Sequence, residues 1–599
     1  MADPVSAANN GDTFDLDDMA VPQHTAGDTI DLAVLDAMSF ERPAVGGRPV
    51  KQRSQKAVAA LIRRGDKARK ARQWVEAAKY LNEAWAHDPE NVSVVKVLAE
   101  VVAKMGARSK AIDLYLYAFE RAPHDSEIPC VAGQVALDME LWAEAEKLNS
   151  VFIELEPLNP VGYVNRATAL RKLERFDEAV DMLQHALPLL PESADLWNVL
   201  GSVVNMRDDL DTALPFYQEA LRLDPSDFKT PNNIARALND LGRYEDAIPY
   251  AQSSFNNTPD RDPVVHFTLA MAQLGAGKLP DAWESYACRL DNRRQDAIRY
   301  ALDVPYIGDK PLEGKKIVVV PEQGVGDEIL FLSALADLIE IADEVAVGCD
   351  ARLVDLVKRS FPSLSHVVAY ADTAHEGYRI RVLQDLPDRG KGFDGYVPMG
   401  DLFCRFRKDV AAFQNSTQGY LVPNDTKVAE LSEWLPSLGE GLKIGICWRS
   451  GFQKAERNFW YADQSYWEPI LKTPGVTFVN LQYGDCEEEL AEFKNRFGTE
   501  IHQYPGLNLR NDLDDAAALT AALDGVVSIG AQPAMTAFGV DQQVFWLFPF
   551  PPWWNFGERT YAPMHKKSRF FMGEEPMDWA GAAAKAAKAL TQLVDQYPN

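Results

Sequence analysis

Small and apolar residues recur with a period of 34 residues along the first half of the chain. Each period ends at a proline, with an alanine 12 residues before it and a glycine or alanine 24 residues before it. Small side chains let two helices cross closely, and proline ends a helix because it lacks the backbone donor. The pattern therefore predicts pairs of antiparallel helices. The prolines are Pro89, Pro123, Pro157, Pro191, Pro225 and Pro259, the alanines are Ala77, Ala111, Ala145, Ala179, Ala213 and Ala247, and the small residues are Gly65, Ala99, Gly133, Ala167, Gly201 and Ala235.

Six units in one register, within about 56–296, resemble the tetratricopeptide repeat (TPR) family. A seventh, less regular unit at about 262–296 is expected to cap the stack. Stacked helix pairs form a superhelix whose concave face can hold an extended peptide. Asparagine amides on that face would bind a peptide backbone, unless they are simply solvated helix positions. The candidate acceptor-binding residues are Asn165, Asn198, Asn232 and Asn239.

The second half of the chain changes to short apolar runs that alternate with helical stretches. This alternation predicts parallel sheets with helices on both faces. Two such clusters, at 312–425 and at 440–599 with its C-terminal helix, are divided by a polar linker. Two Rossmann-like lobes of this kind form the GT-B architecture. The predicted fold class is therefore multidomain, with an all-α TPR solenoid followed by an α/β GT-B domain.

Charge and composition narrow the possible classes of function. The 61 basic and 88 acidic residues give a net charge of −27, which argues against a general nucleic-acid binder and against a protein held on an anionic membrane. No apolar stretch is long enough to span a bilayer, and the N-terminus lacks the features of a signal peptide. Residues 1–48 carry nine acidic and two basic residues, which predicts a disordered acidic tail.

The six cysteines are scattered along the chain without a CxxC pair. This spacing indicates reduced thiols and neither a disulfide framework nor a zinc site. Together with the absence of targeting features, it predicts a cytoplasmic protein. The charge and the lack of a long apolar stretch predict no nucleic-acid partner and no membrane insertion, and no metal or cofactor is expected.

The segment 321–328, Pro-Glu-Gln-Gly-Val-Gly-Asp-Glu, directly follows the predicted strand Lys316–Val320 and opens a helix. Gly324 and Gly326 permit a tight turn and the close approach of a substrate, and a helix N-terminus favours anions. The loop lacks the third glycine of the dinucleotide fingerprint and the lysine of a Walker motif. By itself it indicates no more than a strand-to-helix turn.

Three further loops of the same kind follow predicted strands. Arg449 and Ser450 come directly after the apolar run 442–448, and Lys454 and Arg457 follow them. Positive charge is thereby concentrated where open α/β sheets bind ligands, although an exposed basic loop would look the same. Arginine suits phosphate because its fork makes paired, charge-assisted bonds. The polar residues of the other two loops are Gln482 in one and Ser528, Gly530 and Gln532 in the other.

Taken together, these motifs resemble those of bacterial TPR glycosyltransferases. That family is related to heptosyltransferases and, more distantly, to O-linked N-acetylglucosamine transferases. The resemblance covers about 56–575 and is closest to alphaproteobacterial flagellin glycosyltransferases. The segments that carry it are Ala-Trp-x-x-Tyr-x-x-Arg at 282–289, Glu-Gln-Gly-x-Gly-Asp at 322–327, Ile-Gly-x-x-Trp-Arg-Ser-Gly at 444–451 and Phe-Val-Asn-Leu-Gln-Tyr-Gly-Asp at 478–485.

The resemblance implies a protein O-glycosyltransferase with hexosyl- or sialyl-like transfer to protein hydroxyls. Its TPR groove would hold a protein acceptor such as flagellin, and its lobes would transfer a nucleotide-activated sugar. In the family this sugar is a CMP-activated nonulosonic acid such as pseudaminic acid. Carried over residue by residue, the family's Gly-Asp pair matches Gly326 and Asp327, so Asp327 would be the general base. Glu322 and Glu328 lie close enough in sequence to replace it.

The resemblance also implies a donor site without a metal. Arg449 and Arg457 would hold the donor's phosphate, and Gln482 and the 528–532 loop would contact the nucleotide. Trp553 and Trp554 would stack on a base or sugar, or else pack in the core. The full set of donor-binding candidates is Gly324, Gly326, Arg449, Ser450, Arg457, Gln482, Ser528, Gly530 and Gln532.

One loop departs from the family pattern. Many relatives carry an aspartate and a histidine where this chain has residues 530–535 with neither. This disfavours an ADP-heptose donor and leaves open the alternative of an adaptor, in which the TPR groove binds a client and the transferase lobes are not catalytic. A transferase for lipid or saccharide acceptors is less favoured, because such acceptors need no peptide groove. The retained glycine-rich, polar strand ends favour the enzyme.

Overall fold

The structure is a computed structural model that describes residues 55–294, 297–375, 378–416, 419–450 and 461–597. The expected acidic tail at 1–48 and the candidate Arg457 lie outside these residues. The chain divides into two compact units, one ending at Ile234 and the other beginning at Ala235.

Paired helices form the described part of the first unit and the start of the second, as the 34-residue period predicts. A short 3₁₀ turn, Ala287–Leu290, follows the last helix of the series. The pairs are α1 (Gln55–Lys70) with α2 (Trp74–His87), α3 (Val92–Lys104) with α4 (Arg108–Arg121), α5 (Glu127–Asp138) with α6 (Trp142–Leu155), α7 (Pro160–Lys172) with α8 (Phe176–Ala186), α9 (Ala194–Arg207) with α10 (Leu210–Leu223), α11 (Lys229–Asp240) with α12 (Tyr244–Asn257) and α13 (Pro263–Gly275) with α14 (Leu279–Tyr286).

The small residues of the period lie where the two helices of a pair cross. A Cβ added to Gly65 would come within 2.8 Å of Leu81, and one added to Gly201 within 2.8 Å of the Tyr217 ring. These positions leave no room for a larger side chain, so their spacing fixes how each pair packs. The alanines of the period, which are all fully buried, are Ala77, Ala111, Ala145, Ala179, Ala213 and Ala247.

The first of two sheets in the second unit has six strands in the order β1-β5-β4-β3-β2-β6. Strands β4, β3, β2 and β6 are mutually parallel, and the order of the chain reverses at β2, as in a doubly wound sheet. Its strands are β1 (Ile298–Tyr300), β2 (Lys316–Val320), β3 (Glu344–Cys349), β4 (His366–His375), β5 (Tyr378–Leu383) and β6 (Gly395–Pro398), and its helices are α15 (Val325–Leu332), α16 (Leu335–Ile341), α17 (Val354–Ser360) and α18 (Met399–Phe406).

The second sheet follows helix α19 (Asp425–Trp434) and has seven strands in the order β9-β8-β7-β10-β11-β13-β12. The order of the chain reverses at β7 in the same way. Its strands are β7 (Leu442–Cys447), β8 (Val476–Asn480), β9 (Ile501–His502), β10 (Gly525–Ser528), β11 (Val544–Leu547), β12 (Tyr561–Ala562) and β13 (His565–Phe571), and its helices are α20 (Glu468–Leu471), α21 (Glu487–Phe497), α22 (Leu513–Ala522), α23 (Gln532–Gly539) and α24 (Trp579–Gln596).

Both sheets are mixed, which corrects the prediction of parallel sheets. Strands β4 and β5 pair in antiparallel fashion, and so do β12 and β13. In each case two residues separate the strands along the chain. A parallel connection needs a crossover of a dozen or more residues, so these strands can pair only as hairpins.

The helices at the start of the second unit share a buried apolar core with both sheets. Trp283 of α14 donates from its indole N–H to the backbone oxygen of Arg407 at 2.7 Å and packs near the rings of Phe403 and Phe556. The Tyr244 hydroxyl of α12 donates to the Pro551 backbone oxygen at 2.8 Å. These helices are therefore part of the framework that positions the strand ends.

Candidate active site

A cavity of about 950 Å³ lies between the two sheets of the second unit. Its wall is formed mainly by segments that follow the carboxyl ends of β2, β3, β7, β8, β10 and β11. Ligands of open α/β sheets bind at this end of the strands. The segments that the sequence singled out contribute residues 323–327, 449–450, 483–485 and 530–532.

Asp327 lies in the first turn of α15 and in the wall of the cavity, together with Gly324 and Gly326. The Gly324 amide donates to Asp327 Oδ2 at 3.2 Å, which closes the turn at the start of the helix. The N-terminus of a helix favours negative charge, because its first backbone N–H groups have no intrahelical partners. A partly exposed carboxylate is thus held at the cavity by the backbone beside it.

The two neighbouring glutamates are absent from the described lining of the cavity. Glu322 is 4% exposed and accepts from Arg289 Nε and Nη2 at 2.9 and 2.8 Å. Glu328 is fully buried and accepts from the Asp350 amide at 2.8 Å, and burial raises the pKa of Glu328 to about 8. Neither glutamate can replace Asp327 at the cavity, contrary to the possibility that their sequence positions left open.

Arg449 and Ser450 both line the cavity, but the guanidinium fork of Arg449 is occupied. Its Nε and Nη2 donate to Glu489 at 2.7 and 2.6 Å, and Nη2 also donates to the backbone oxygen of Asp485. For Arg449 to make paired bonds to a phosphate, as the sequence suggested, it has to leave Glu489.

Gln482 and Ser528 lie beneath the surface of the cavity, which corrects the expectation that they contact a nucleotide. Gln482 is 1% exposed, its Oε1 accepts from the amides of Trp448 and Arg449 at 3.1 and 2.9 Å, and its Nε2 donates to the Tyr483 backbone oxygen. Ser528 is fully buried and donates to a neighbouring backbone oxygen at 2.8 Å. Both residues fix the strand ends that carry the wall.

Gly530 and Gln532 stand in the wall where α23 begins. The Gln532 amide nitrogen donates to Thr536 one turn further along the helix. A Cβ added to Gly326 would lie 3.8 Å from Met535, so α15 and α23 touch close to their N-termini. The two helices therefore begin at the same cavity, one from each sheet.

The structure places the two tryptophans of the pair differently. Trp553 and Trp554 line the cavity, and Trp553 is partly exposed. Trp554 is 8% exposed and packs against the rings of Trp546 and Phe548, with centroids at 4.7 and 5.5 Å. Trp553 is thus available for stacking on a ligand, whereas Trp554 belongs mostly to the core.

The candidate asparagines of the helical repeats are largely buried, and the described lining of the cavity includes none of the four. Asn198 and Asn232 are 8% and 9% exposed, and Asn198 Oδ1 accepts from Asn233 Nδ2 at 3.0 Å. Asn239 donates to the backbone of α13. Within the described ranges, Asn165 Nδ2 and Asn232 Oδ1 are buried without a hydrogen-bond partner. These residues are therefore not solvated surface positions.

The sequence did not single out two arginines of the wall, Arg352 and Arg510. Arg352 donates from Nε and Nη2 to the two carboxylate oxygens of Asp350 at 2.8 and 2.9 Å. Its Nη1 donates to the Arg510 backbone oxygen at 2.8 Å. Burial acts to raise the pKa of Asp350, but the hydrogen bonds from Arg352 outweigh burial and hold this pKa below its usual value. Arg352 comes just after β3. Ligands of open α/β sheets bind beyond the carboxyl ends of the strands, and this rule, which pointed to Arg449 after β7, could also have pointed to Arg352. Arg510 follows the two-residue strand β9, which gives no comparable signal.

A Ser–His–Asp cluster in the second sheet is not part of the site. His565 contacts the Ser568 hydroxyl at 2.7 Å and Asp541 Oδ1 at 3.1 Å. His565 and Ser568 are fully buried and absent from the described cavity lining, and burial lowers the pKa of His565. A nucleophile needs access to its substrate, so the cluster is a structural link between β13 and the turn after α23.

Comparison with known proteins found a repeat family and several partial relatives. Residues 164–228 match the tetratricopeptide repeat family TPR_16. Human protein O-mannosyl-transferase TMTC1 is 24% identical over 194 residues, which cover 32% of this chain and 21% of that protein. A solved structure of MamA from Desulfovibrio magneticus RS-1 is 18% identical and covers 29% of this chain and 97% of that one, with a TM-score of 0.27.

A relative that matches most of the chain decides the family. Protein FlbA of Caulobacter vibrioides is 33% identical over 501 residues, which cover 82% of this chain and 83% of FlbA. The chain belongs to the FlbA family. Because the paired helices lie between residues 55 and 286, an alignment of 501 residues also includes much of the region with the two sheets. A stretch that covers 82% of the chain includes the site residues from Gln323 to Asp485 wherever it begins, so this part of the candidate site is related to FlbA.

Two properties of this FlbA-family chain bear on its site. Within the described ranges, no group of three or more His, Cys, Asp or Glu side chains is arranged to hold a metal ion. Among the same residues, no helix is both long and apolar enough to cross a bilayer.

Proposed function

We propose that this protein is a GT-B glycosyltransferase that transfers a nucleotide-activated sugar to serine or threonine of a protein acceptor. The observation that carries the proposal is the position of Asp327, which is the carboxylate of the 321–328 loop that stands in the wall of the cavity. Flagellin as the acceptor and a CMP-activated nonulosonic acid such as pseudaminic acid as the donor rest on the resemblance of the motifs.

The size and lining of the cavity support a nucleotide-sugar donor. A volume of about 950 Å³ is at the upper end of the range for small-molecule sites. Arg352, Arg449 and Arg510 supply positive charge in its wall, and α15 and α23 begin there with backbone N–H groups suited to anions. Aromatic rings such as that of Trp553 offer a surface for a base.

In the proposed reaction, the Asp327 carboxylate accepts the proton of the acceptor hydroxyl as that oxygen attacks the anomeric carbon of the donor. A new carbon–oxygen bond forms while the bond from the anomeric carbon to the phosphate oxygen breaks. The nucleotide leaves with the electron pair of the broken bond. Attack opposite the leaving group inverts the anomeric configuration, which suits a site with one carboxylate in the reacting position.

The helical repeats are proposed to hold the acceptor. TPR repeats stack into a superhelix whose concave face can hold an extended peptide. Asn165 and Asn232 do not carry this part of the proposal, because their unpaired amide atoms are buried. The relative TMTC1, which is 24% identical over 194 residues, is named a protein O-mannosyl-transferase. Sugar transfer to a protein is therefore the named activity of one partial relative of this chain.

An adaptor without catalytic activity is the second candidate. It is favoured by the Glu489 carboxylate on the fork of Arg449 and by the absence of aspartate and histidine from residues 530–535. In that case the repeats would bind flagellin or another client, and the cavity would transfer nothing.

The intact mass of flagellin tests the proposal in cells that carry the wild-type protein, Asp327→Asn or no copy of the gene. We expect mass increments with the wild type alone, and the size of each increment identifies the sugar. Increments that persist with Asp327→Asn but vanish without the gene would keep the enzyme and overturn the choice of base. Identical masses in all three strains would overturn flagellin as the acceptor and favour the adaptor.

A further inference from the structure

We propose that Arg289, just after the last helical pair, is a positioning residue that holds the 321–328 loop and thereby sets the position of Asp327. The inference rests on the proposed function in one respect, namely that Asp327 is the reacting carboxylate. It extends that function by giving the helical region a part in catalysis beyond holding the acceptor.

The fork of Arg289 is the centre of a buried cluster of charges. Its Nε and Nη2 donate to the two oxygens of Glu322 at 2.9 and 2.8 Å, and Nη2 also donates to Asp401 Oδ1 at 2.5 Å. The side chains of Arg289, Glu322 and Asp401 are 4%, 5% and 10% exposed. The Tyr306 hydroxyl donates to the other oxygen of Asp401 at 2.7 Å. Each carboxylate is thus satisfied on both of its oxygens.

Glu322 transmits the position of Arg289 to the cavity, because it directly precedes the wall residues 323–327. Glu322 Oε1 also accepts from the Gly400 amide at 2.7 Å, which ties it to the start of α18. The loop then reaches Gly324, whose amide donates to Asp327 at 3.2 Å. An unbroken series of hydrogen bonds and backbone therefore connects Arg289 with the carboxylate in the wall.

Two further, partly buried hydrogen bonds show that the backbone of this loop is held at successive residues. The Tyr300 hydroxyl donates to the Pro321 backbone oxygen at 2.7 Å, and Arg381 Nη2 donates to the Gln323 backbone oxygen at 2.9 Å. Between them, Glu322 is the residue of the loop that is anchored through its side chain. If Arg289 loses its guanidinium group, the bonds at Pro321 and Gln323 remain, but Glu322 keeps only its bond from the Gly400 amide.

The buried cluster of Arg289, Glu322 and Asp401 is not needed for the stability of the fold alone. A buried ion pair contributes little net stability compared with apolar residues of the same size, but removing one partner leaves a costly unpaired charge. Such a cluster is therefore better suited to fixing a geometry than to stabilising the fold. Lysine cannot replace arginine here, because its single ammonium cannot bond both oxygens of Glu322 and Asp401 in one plane.

The test compares the full-length wild type with Arg289→Lys and with the control Arg293→Lys. Arg293 is four residues away and its guanidinium group also forms an ion pair with an aspartate, Asp291, but the Arg293 side chain is 53% exposed. Two quantities are measured on each protein: the hydrogen–deuterium exchange of the amides at 322–328 and at 532–539, and kcat and KM for transfer to flagellin.

For Arg289→Lys we expect exchange at 322–328 to become about tenfold faster, with no change at 532–539 in the opposite wall. Because a displacement of about 1 Å can cost about 10²-fold in rate, we expect kcat to fall by about 10- to 100-fold while KM stays within about twofold. Arg293→Lys should match the wild type in every readout.

Unchanged hydrogen–deuterium exchange at 322–328 or an unchanged kcat would overturn the proposal. Exchange that rises equally at 322–328 and at 532–539 would also overturn it, because it would mean general destabilisation. If Arg289→Lys does not fold, Glu322→Gln decides by the same readouts, because it keeps one acceptor for the Gly400 amide and loses one bond to Arg289. If the wild type transfers no sugar, the proposed function fails, and the exchange measurement still decides whether Arg289 holds the loop.

Discussion

The two walls of the cavity hold their charged groups in different ways. The first wall is formed by residues 323–327 and Arg352, and Asp327 is the carboxylate that its loop presents to the cavity. Glu322 and Glu328 lie on either side of this loop segment and are buried and hydrogen-bonded. The second wall includes residues 449–450, 483–485 and 530–532. Its Arg449 forms an ion pair with Glu489, and the two side chains are 13% and 21% exposed. Separating a buried pair leaves a costly unpaired charge, whereas a pair at the edge of solvent can exchange partners cheaply. The first wall is therefore suited to fixing a reacting group, and the second to binding and releasing a charged ligand.

Asp327→Asn should give the largest effect, because it removes the carboxylate of the first wall that we propose to be the general base. Asparagine can still accept from the Gly324 amide, so the turn should remain intact. We expect kcat for transfer to fall by about 10²- to 10⁴-fold, the usual contribution of a general base. Single-turnover transfer measures this, with Asp485→Asn as a control in the opposite wall. A rate above a tenth of the wild-type value would mean that the first wall does not hold the base.

Gln482→Leu should show that the second wall depends on a buried amide beneath it. The change leaves the backbone amides of Trp448 and Arg449 without their acceptor. We expect the free energy of unfolding to fall by about 2–4 kcal/mol, since each unsatisfied buried group costs about 1–3 kcal/mol. Urea denaturation measures the loss, and Gln532→Leu at the cavity surface serves as the control. Weaker nucleotide binding without a loss of stability would instead mean that Gln482 contacts the ligand.

Glu328→Gln tests whether the buried carboxyl group directly after the first wall resists ionisation. Burial raises the pKa of Glu328 from 4.5 to about 8, so the folded state binds its proton more tightly than the unfolded state. The wild type then loses stability as the pH rises through this window, and the variant does not. The stability of Glu328→Gln relative to the wild type should therefore increase with pH, by up to about 1.4 kcal/mol per unit. Urea denaturation at pH 5.5 and 7.5 measures this, and a difference that does not change with pH would contradict it.

Glu489→Gln should give the smallest effect, because it loosens the partly exposed pair of the second wall. Without the carboxylate, Arg449 is more readily available to a phosphate. We expect CMP to bind about two- to fivefold more tightly, in keeping with the modest strength of such pairs. Calorimetry measures the affinity, with Glu492→Gln on the same helix as the control. Unchanged or weaker binding would mean that Arg449 does not take part in exchange.

The helical pairs and several strands could be predicted from the sequence because their signals are local. Glycine and alanine recur at the helix crossings, and strands such as Lys316–Val320 are buried on both faces and form continuous apolar runs. Strands β5 and β13 did not show this signal. β13 mixes buried and exposed positions without regular alternation and contains two lysines and an arginine, and β5 contains two arginines. Their place in the sheets depends on partners that are distant in sequence or on a tight hairpin.

The site was predictable at the level of loops and less so at the level of side chains. Loops that follow parallel strands meet at one edge, and this rule brought Asp327, Arg449 and Gly530 to a common cavity. The rule does not say which way a side chain turns. Gln482 turns inwards to bind backbone amides, and Arg449 pairs with Glu489, forty residues later in the chain. Both outcomes depend on tertiary packing, which no local pattern in the sequence reports.

The fit between the last helices and the second sheet also constrains how this chain can evolve. A Cβ added to Gly242 would come within 2.7 Å of Pro551, and one added to Gly277 within 2.7 Å of the Phe556 backbone oxygen. A repeat duplicated or deleted upstream of these glycines changes the length of the array without altering their contacts, because each repeat contacts mainly its neighbours. A duplication or deletion between Gly242 and Gly277 would separate the two contacts by a whole repeat. Relatives should therefore vary in repeat number near the N-terminus and keep the final repeats in fixed register with the sheets.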